Sequence, residues 1–273
     1  MAERAFFGPW FLIISIMFLA FVIGTAVLAP LMSPYTPTEQ DLDNRLAPPG
    51  TPGHVLGTDD FGRDLLTRIM YGSRSVLAIC MVAVAIALVL GIVIGLVSGL
   101  LGGFVDNFLM LIMDSVLSFP TVLLAIAVVT AFGYGLTQVM VALGVVFSPV
   151  FARIVRAETM ALMAEGFVES ARALGSPLRK IIVLHLVPNM MPKIIVQSSV
   201  SFALAVLIEA SLSFLGLGAQ PPEPSWGLML KDARNYLFQA PWLAIYPGLA
   251  LGATIFSLNY FGDVLSEWMN PTL

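Results

Sequence analysis

An all-α integral membrane protein is the fold class this sequence predicts, on three observations. Of its 273 residues 58% are hydrophobic and 11% charged, where a soluble domain carries about 25% charged residues; mean hydropathy is +0.93. Six apolar segments, 8–31, 76–101, 105–132, 136–156, 194–217 and 242–265, reach the roughly 20 residues a helix needs to cross the hydrocarbon core. The charge is also unevenly placed. Arg153, Arg156, Arg172, Arg179, Lys180 and Lys193, six of the thirteen basic residues, fall in one internal stretch. A net charge of −4 with no clustered basic face argues against a nucleic-acid partner. The lone Cys80 and two histidines 131 residues apart give neither a disulfide nor a metal-ligand spacing, so no metal is expected.

The first segment reads as a retained anchor. The apolar run from Phe6 to Met32 is longer than the 7–15 residues of a signal h-region, and Pro30 obstructs the nearest small-residue site at 27–29. A polar, proline-ruled loop follows. From Asp60 the pattern changes: Phe61, Leu65, Leu66, Ile69 and Met70 recur at helical spacing, with Arg63, Asp64 and Arg68 on the other face. That spacing predicts a short amphipathic helix on the membrane surface. The chain therefore divides into 1–72, an anchor plus external loop, and 73–265, a five-helix core.

The second span carries Ala83, Ala87, Gly91, Gly95, Gly99 and Gly103 every four residues. Such a ladder stacks on one helical face and admits another helix closely. The third contains Asp106, Asp114 and Pro120, which predicts a long, kinked span with one polar face, because halves split at Pro120 are too short to cross alone. An ionisable group inside a span is a functional candidate. Asp114 and Glu209 are the candidates for lining a translocation pathway, with a packed helix–helix hydrogen bond as the structural alternative for each. Asp263 and Glu267, at the end of the sixth span, are expected to face water. Six spans place Arg4 and the six clustered bases on one side, seven cations against six opposite. Positive charge alone nearly ties, and the density of the 157–193 loop favours a cytoplasmic assignment for it.

That loop has the punctuation of two helices. Residues through 174 are good helix formers, Gly175 fits a left-handed C′ position, and Ser176-Pro177 reads as N-cap and N1 of a second helix that Pro188 stops. Ala171 and Gly175 leave a narrow edge, flanked by Glu169 and Arg172, suited to entering a groove. The stretch "ESARALGSPLRKIIVLHLVP" resembles the EAA-x3-G-x9-I-x-L-P loop of ATP-binding-cassette importer permeases. Glu169, Ala171, Gly175 and Pro188 stand at the matching positions, while Ser170, His185 and Val187 depart from it. His185 looks like a feature of the peptide-type subfamily, with a proton switch as the alternative. Segments 54–74 and 209–230 resemble signatures of the C-type subunits of dipeptide, oligopeptide and nickel importers.

The resemblance implies a type I importer permease fold of six transmembrane helices in a bacterial inner membrane, with both termini and the 157–193 loop cytoplasmic. It implies that Glu169, Ala171, Arg172, Gly175, Ser176 and Pro177 form a coupling helix seated in a cleft of an ATPase subunit. The implied partners are a homologous second permease subunit, two ATP-binding subunits, an extracytoplasmic solute-binding protein and membrane lipid. Pro221, Pro222 and Trp226, in the stiff loop 220–227, are candidates for an external gate or a binding-protein contact. No GxxxxGK[ST] motif is present, so no catalytic residue and no cofactor is expected in this chain; ATP and magnesium belong to the partners. The expected cargo is a di- or oligopeptide, with nickel or a nickel chelate as the alternative. An ion-coupled secondary transporter is disfavoured, because no repeat links the two halves.

Overall fold

The computed structural model describes residues 9–269, and almost every apolar run in them is helical. The long helices are α1 (Pro9–Met32), α2 (Leu65–Leu101), α5 (Leu136–Met163), α8 (Val187–Phe214) and α10 (Trp242–Met269). Shorter ones are α3 (Gly103–Leu117), α4 (Thr121–Phe132), α6 (Gly166–Ala173), α7 (Leu178–Ile181) and α9 (Trp226–Ala233). Arg4 and Gly8, used above for orientation and for the start of the first span, lie outside the described residues, as do the chain termini.

The small-residue ladder finds its neighbour within the chain. A Cβ on Gly91 would collide with Cβ of Phe151, one on Gly95 would lie 2.7 Å from the Ala152 carbonyl oxygen, and one on Gly99 2.8 Å from Cβ of Thr159. Helix α5 thus lies against backbone along α2, and Ala83 and Ala87 continue the seam with no exposure. Gly103 is not part of it: its φ is +54° and nothing lies within 4 Å of its would-be Cβ. There glycine serves the reversal from α2 into α3.

Several expectations are corrected. The surface helix from Asp60 is absent; Asp60–Asp64 is a tight turn, and α2 runs unbroken from Leu65, so the 72/73 division falls inside a helix. Asp64 caps α2, accepting from the Thr67 amide at 2.8 Å and its hydroxyl at 2.7 Å. Arg63 and Arg68 are buried instead of facing water, because both reach Asp59, at 2.6 and 3.3 Å. The folded loop supplies the countercharges that the helical-wheel reading assigned to solvent.

The third span is broken more sharply than a kink: α3 and α4 meet at 95°. Pro120 is extended (ψ 128°) and donates no amide hydrogen, so the helix cannot continue through it. At 15 and 12 residues neither piece alone spans a core about 30 Å thick. Five helices are long enough to cross, or six crossings if the bent pair counts as one.

Helix α5 stops at Met163, where the chain turns through Ala164 and the extended Glu165 (ψ 142°), so Gly166–Ala173 form a separate α6. Finally, Pro188 does not stop the second loop helix. Ile182–Leu186 form a π-helical segment in which the Val187 amide bonds Ile182, and helix continues from Leu178 to Phe214. Widening by one residue carries the helix past a proline that lacks a donor. Pro177, rather than Ser176, occupies the N-cap of α7, with no side-chain cap bond.

Candidate functional site

The 164–193 elbow is built outward from the end of α5. Val168, the buried residue of α6, enters an apolar cluster with Val155, Ile181, Leu186, Met190 and Ile194. Ala171 packs at the edge of the same cluster. The turn after α6 closes both hydrogen bonds of a Schellman motif: Gly175 N–H to Arg172 O at 2.9 Å and Ser176 N–H to Ala171 O at 3.0 Å. Gly175 has φ +76° with open space around it, so backbone conformation rather than crowding calls for glycine.

The outer face of the elbow is apolar at its tip and charged at its flanks. Leu174 is 86% exposed, and Phe167 and Leu178 are also exposed. Glu169, Arg172, Arg179 and Lys180 surround them, exposed as well, together with Gly175 and Pro177; Ser176 is half-buried. Arg172 turns Nη2 to the Met163 sulfur at 3.7 Å rather than to Glu169. The sequence reading missed Leu174 and Leu178, although a leucine on each side of a helix-ending glycine, with no core partner at helical spacing, was a usable signal. His185 packs: its ring lies 5.9 Å from that of Phe167, tying the π segment to α6.

The other clustered bases are absorbed by the bundle. Arg156 pairs with both oxygens of Asp106 at 2.5 Å, and Ser98 bonds the same carboxylate. Lys193 pairs with Glu158. Arg153 Nη2 lies 2.6 Å from Asp114, with both side chains about half exposed, at 52% and 55%. The basic stretch is therefore two things: tethers from α5 to α3 and α8, and a free patch on the elbow.

The two pathway candidates separate. Asp114 stays on an accessible face with Arg153 as partner. Glu209 is fully buried inside the protomer; Oε1 accepts from the Ser213 hydroxyl at 2.7 Å, and that hydroxyl oxygen accepts from the Ala219 amide at 3.1 Å. Among the described residues Oε2 of Glu209 has no hydrogen-bond partner. This places Glu209 in the packing that locks α8 to the following loop, away from any open face.

In that loop Pro221 and Pro222 are exposed, but the external contact expected of Trp226 is not open to it. Trp226 is 1% exposed, donates Nε1–H to the Ile69 carbonyl at 3.0 Å and packs on Gly72. It pins α9 to α2. Asp59, Asp60, Arg63 and Arg68 form an ionic knot at the start of α2, and Asp232 of α9 shares a small cavity with Asp59, Asp60 and Arg68 and feels the charge of both arginines. Burial first, then the neighbouring carboxylate, raises Asp60 and Asp232 above the usual carboxylate range, with Arg63 and Arg68 opposing the shift. Among the described residues no group of three His, Cys, Asp or Glu side chains could hold a metal ion.

Residues 91–273 match the model of the family described as binding-protein-dependent transport system inner membrane component, and 4–49 match the N-terminal TM domain of oligopeptide transport permease C. The chain is 41% identical to the dipeptide transport system permease protein DppC of Escherichia coli K12 over 266 residues, covering 96% of this chain and 89% of the relative. It is 39% identical over 261 residues to the DppC of Alkalihalophilus pseudofirmus, covering 96% and 86%. It is 37% identical over 263 residues to a di/tripeptide transport system permease protein of Pseudomonas aeruginosa, covering 94% and 87%. Among solved structures, an inward-facing MetNI methionine ABC transporter superposes with TM-score 0.59 at 18% identity, over 74% of this chain and 96% of that one. That likeness concerns the fold alone.

Proposed function

The chain belongs to the family of binding-protein-dependent transport system inner membrane components, and from that premise we propose that it is the C-type permease subunit of an ATP-driven di- or oligopeptide importer. The observation that carries the reading is the elbow: an exposed apolar tip ringed by charge, held on a rigid Schellman turn at one end of the helix bundle. Such a tip suits a protein cleft, since apolar residues in the centre and charge at the rim are the anatomy of an interface. Glu169, Ala171, Arg172, Gly175, Ser176 and Pro177 form or border it. ATP-driven closure of two separate ATPase subunits, which bind the ATP and magnesium, moves this elbow as a rigid body and rocks the spans between inward- and outward-facing states.

A homologous second permease supplies the other half of the pathway, with Asp114 on this chain's accessible face. An extracytoplasmic binding protein delivers cargo near Pro221 and Pro222. Both termini and the elbow lie on the cytoplasmic side. The relatives' names favour peptides over nickel.

The test is uptake into vesicles holding the chain, its second permease and its ATPases, with binding protein outside. Labelled dipeptide should enter with ATP, and a proton gradient alone should drive nothing. Gradient-driven uptake without ATP, or ATP-driven uptake of nickel but not of peptide, would overturn the proposal.

A further inference from the structure

Two cavities meet at the end of α2 nearest the 33–64 loop. The larger, about 950 Å³, is a lateral groove between α1, α2, α8 and α10, walled by side chains such as Val22, Ile23, Met81, Leu88, Ile194 and Phe202. The smaller, about 380 Å³, lies between the loops at 37–38 and 223–224 and the start of α5, with Tyr71, Ser75 and Glu223 in its wall. Arg74 and Ala78 line both. Positions 74 and 78 stack on one helical face, so the two cavities adjoin along α2, with Arg74 and Ala78 at the boundary.

Their chemistry differs sharply. In the groove Ser198 and Ser199 spend their hydroxyls on the carbonyls of Ile194 and Ile195, at 2.8 and 3.3 Å, leaving Arg74, among the described residues, as the only charged side chain of the wall. From Arg74 to Leu88 the groove follows α2 for about 21 Å, the scale of an acyl chain. A peptide, with unmet amides along its length, has nothing to bond there. The chamber beside it offers one cation and one anion, Arg74 and Glu223, neither with an ion-pair partner among the described residues.

We propose that this composite site holds one glycerophospholipid with a zwitterionic, amine-bearing headgroup. Its tails lie in the α1/α8 groove, its phosphate sits on Arg74, and its ammonium faces Glu223. A guanidinium recognises phosphate through paired N–H donors, and a carboxylate beside it disfavours a headgroup that carries net negative charge without an amine. The lipid enters sideways from the leaflet bordering the 33–64 loop. It seals a gap between the anchor helix α1 and the core, so it is a resident component of the subunit and not cargo.

The test uses the assembled transporter, stripped of lipid in detergent and returned to defined amounts of phosphatidylethanolamine or phosphatidylglycerol, with bound lipid counted by native mass spectrometry. Wild type should retain one phosphatidylethanolamine per copy of this chain. R74Q should weaken that retention about tenfold, the loss of a charge-assisted contact, and E223Q should narrow the preference over phosphatidylglycerol. A78W, which plugs the junction, should abolish retention while the complex stays assembled. Equal retention by wild type and R74Q, or no lipid bound with a helix of the second permease cross-linking to Met81, would overturn the proposal. Because nothing is transported in this assay, its outcome is independent of the cargo.

Discussion

Single positions in this protein are constrained by two separate demands, space and backbone conformation, and two glycines tell them apart. At Gly91 the demand is space, since Phe151 leaves no room for a side chain. G91L should destabilise the solubilised chain by about 1–3 kcal/mol or more, the usual range for overpacking, read as a fall in thermal midpoint by tryptophan fluorescence. G24A, where nothing lies within 4 Å, is the neutral control. At Gly175 the demand is a positive φ of 76°. G175N should therefore fold and bind the ATPase subunits nearly as wild type, G175A should lose roughly 1 kcal/mol of elbow stability, and G175W should insert normally but fail to co-purify with the ATPases. Normal assembly of G175W would remove the docking role from this turn. The sequence showed Gly175 clearly, because a helix-ending glycine before Ser-Pro has a local signature. The burial of Glu209 was not legible: it depends on Ser213 and the 218–219 backbone folding over it, and hydrophobicity along a span does not report which face meets a loop.

Individual elements show the same division between local and distant causes. The seam of α2 was readable, since four-residue spacing is local, whereas Asp64, read as one face of a surface helix, caps α2 instead. The straight start of α2 was not readable, because what removes the surface helix lies outside its own pattern: Asp59, across a turn, pairs with Arg63 and Arg68, and the Pro37 carbonyl of the preceding loop accepts from Arg68 at 3.0 Å. The π segment at Ile182–Leu186 likewise answers to packing on Phe167 and on the apolar cluster rather than to a sequence pattern. The ionic knot carries a pH dependence of definite sign. Asp60 and Asp232 are held above the ordinary value of about 4, so between that value and the raised ones the folded state binds more protons than the unfolded chain. Stability contributed by these groups is therefore present at the acidic end of that window and lost as pH rises through it. Hydrogen exchange across 57–65, corrected for intrinsic rates, should show more protection at the acidic end, and D232N should flatten the trend. Protection that rises with pH instead would contradict the assignment.

Across the whole molecule, the order of spans and their approximate ends were legible, because a bilayer forces long apolar helices on any crossing chain. The right angle between α3 and α4 was not, since a proline in a polar-faced span is equally compatible with a shallow kink. The Asp106–Arg156–Ser98 cluster tethers α3 to α2 and α5, while Ala125 and Val129 bury α4 in the core. D106N and R156Q should each destabilise the chain, while the double variant should cost less than their sum by about 1–3 kcal/mol, the coupling expected of contacting residues; strict additivity would mean the tether is not formed. One last consequence concerns mechanics. Helix α2 is 37 residues long, about 55 Å of rod, and three of its glycines are keyed directly into α5, the helix that leads into the elbow. A rod meshed with its neighbour along its length has little backlash. On the proposed docking role, a push at the elbow should therefore travel along α2 as displacement rather than as slack taken up on the way.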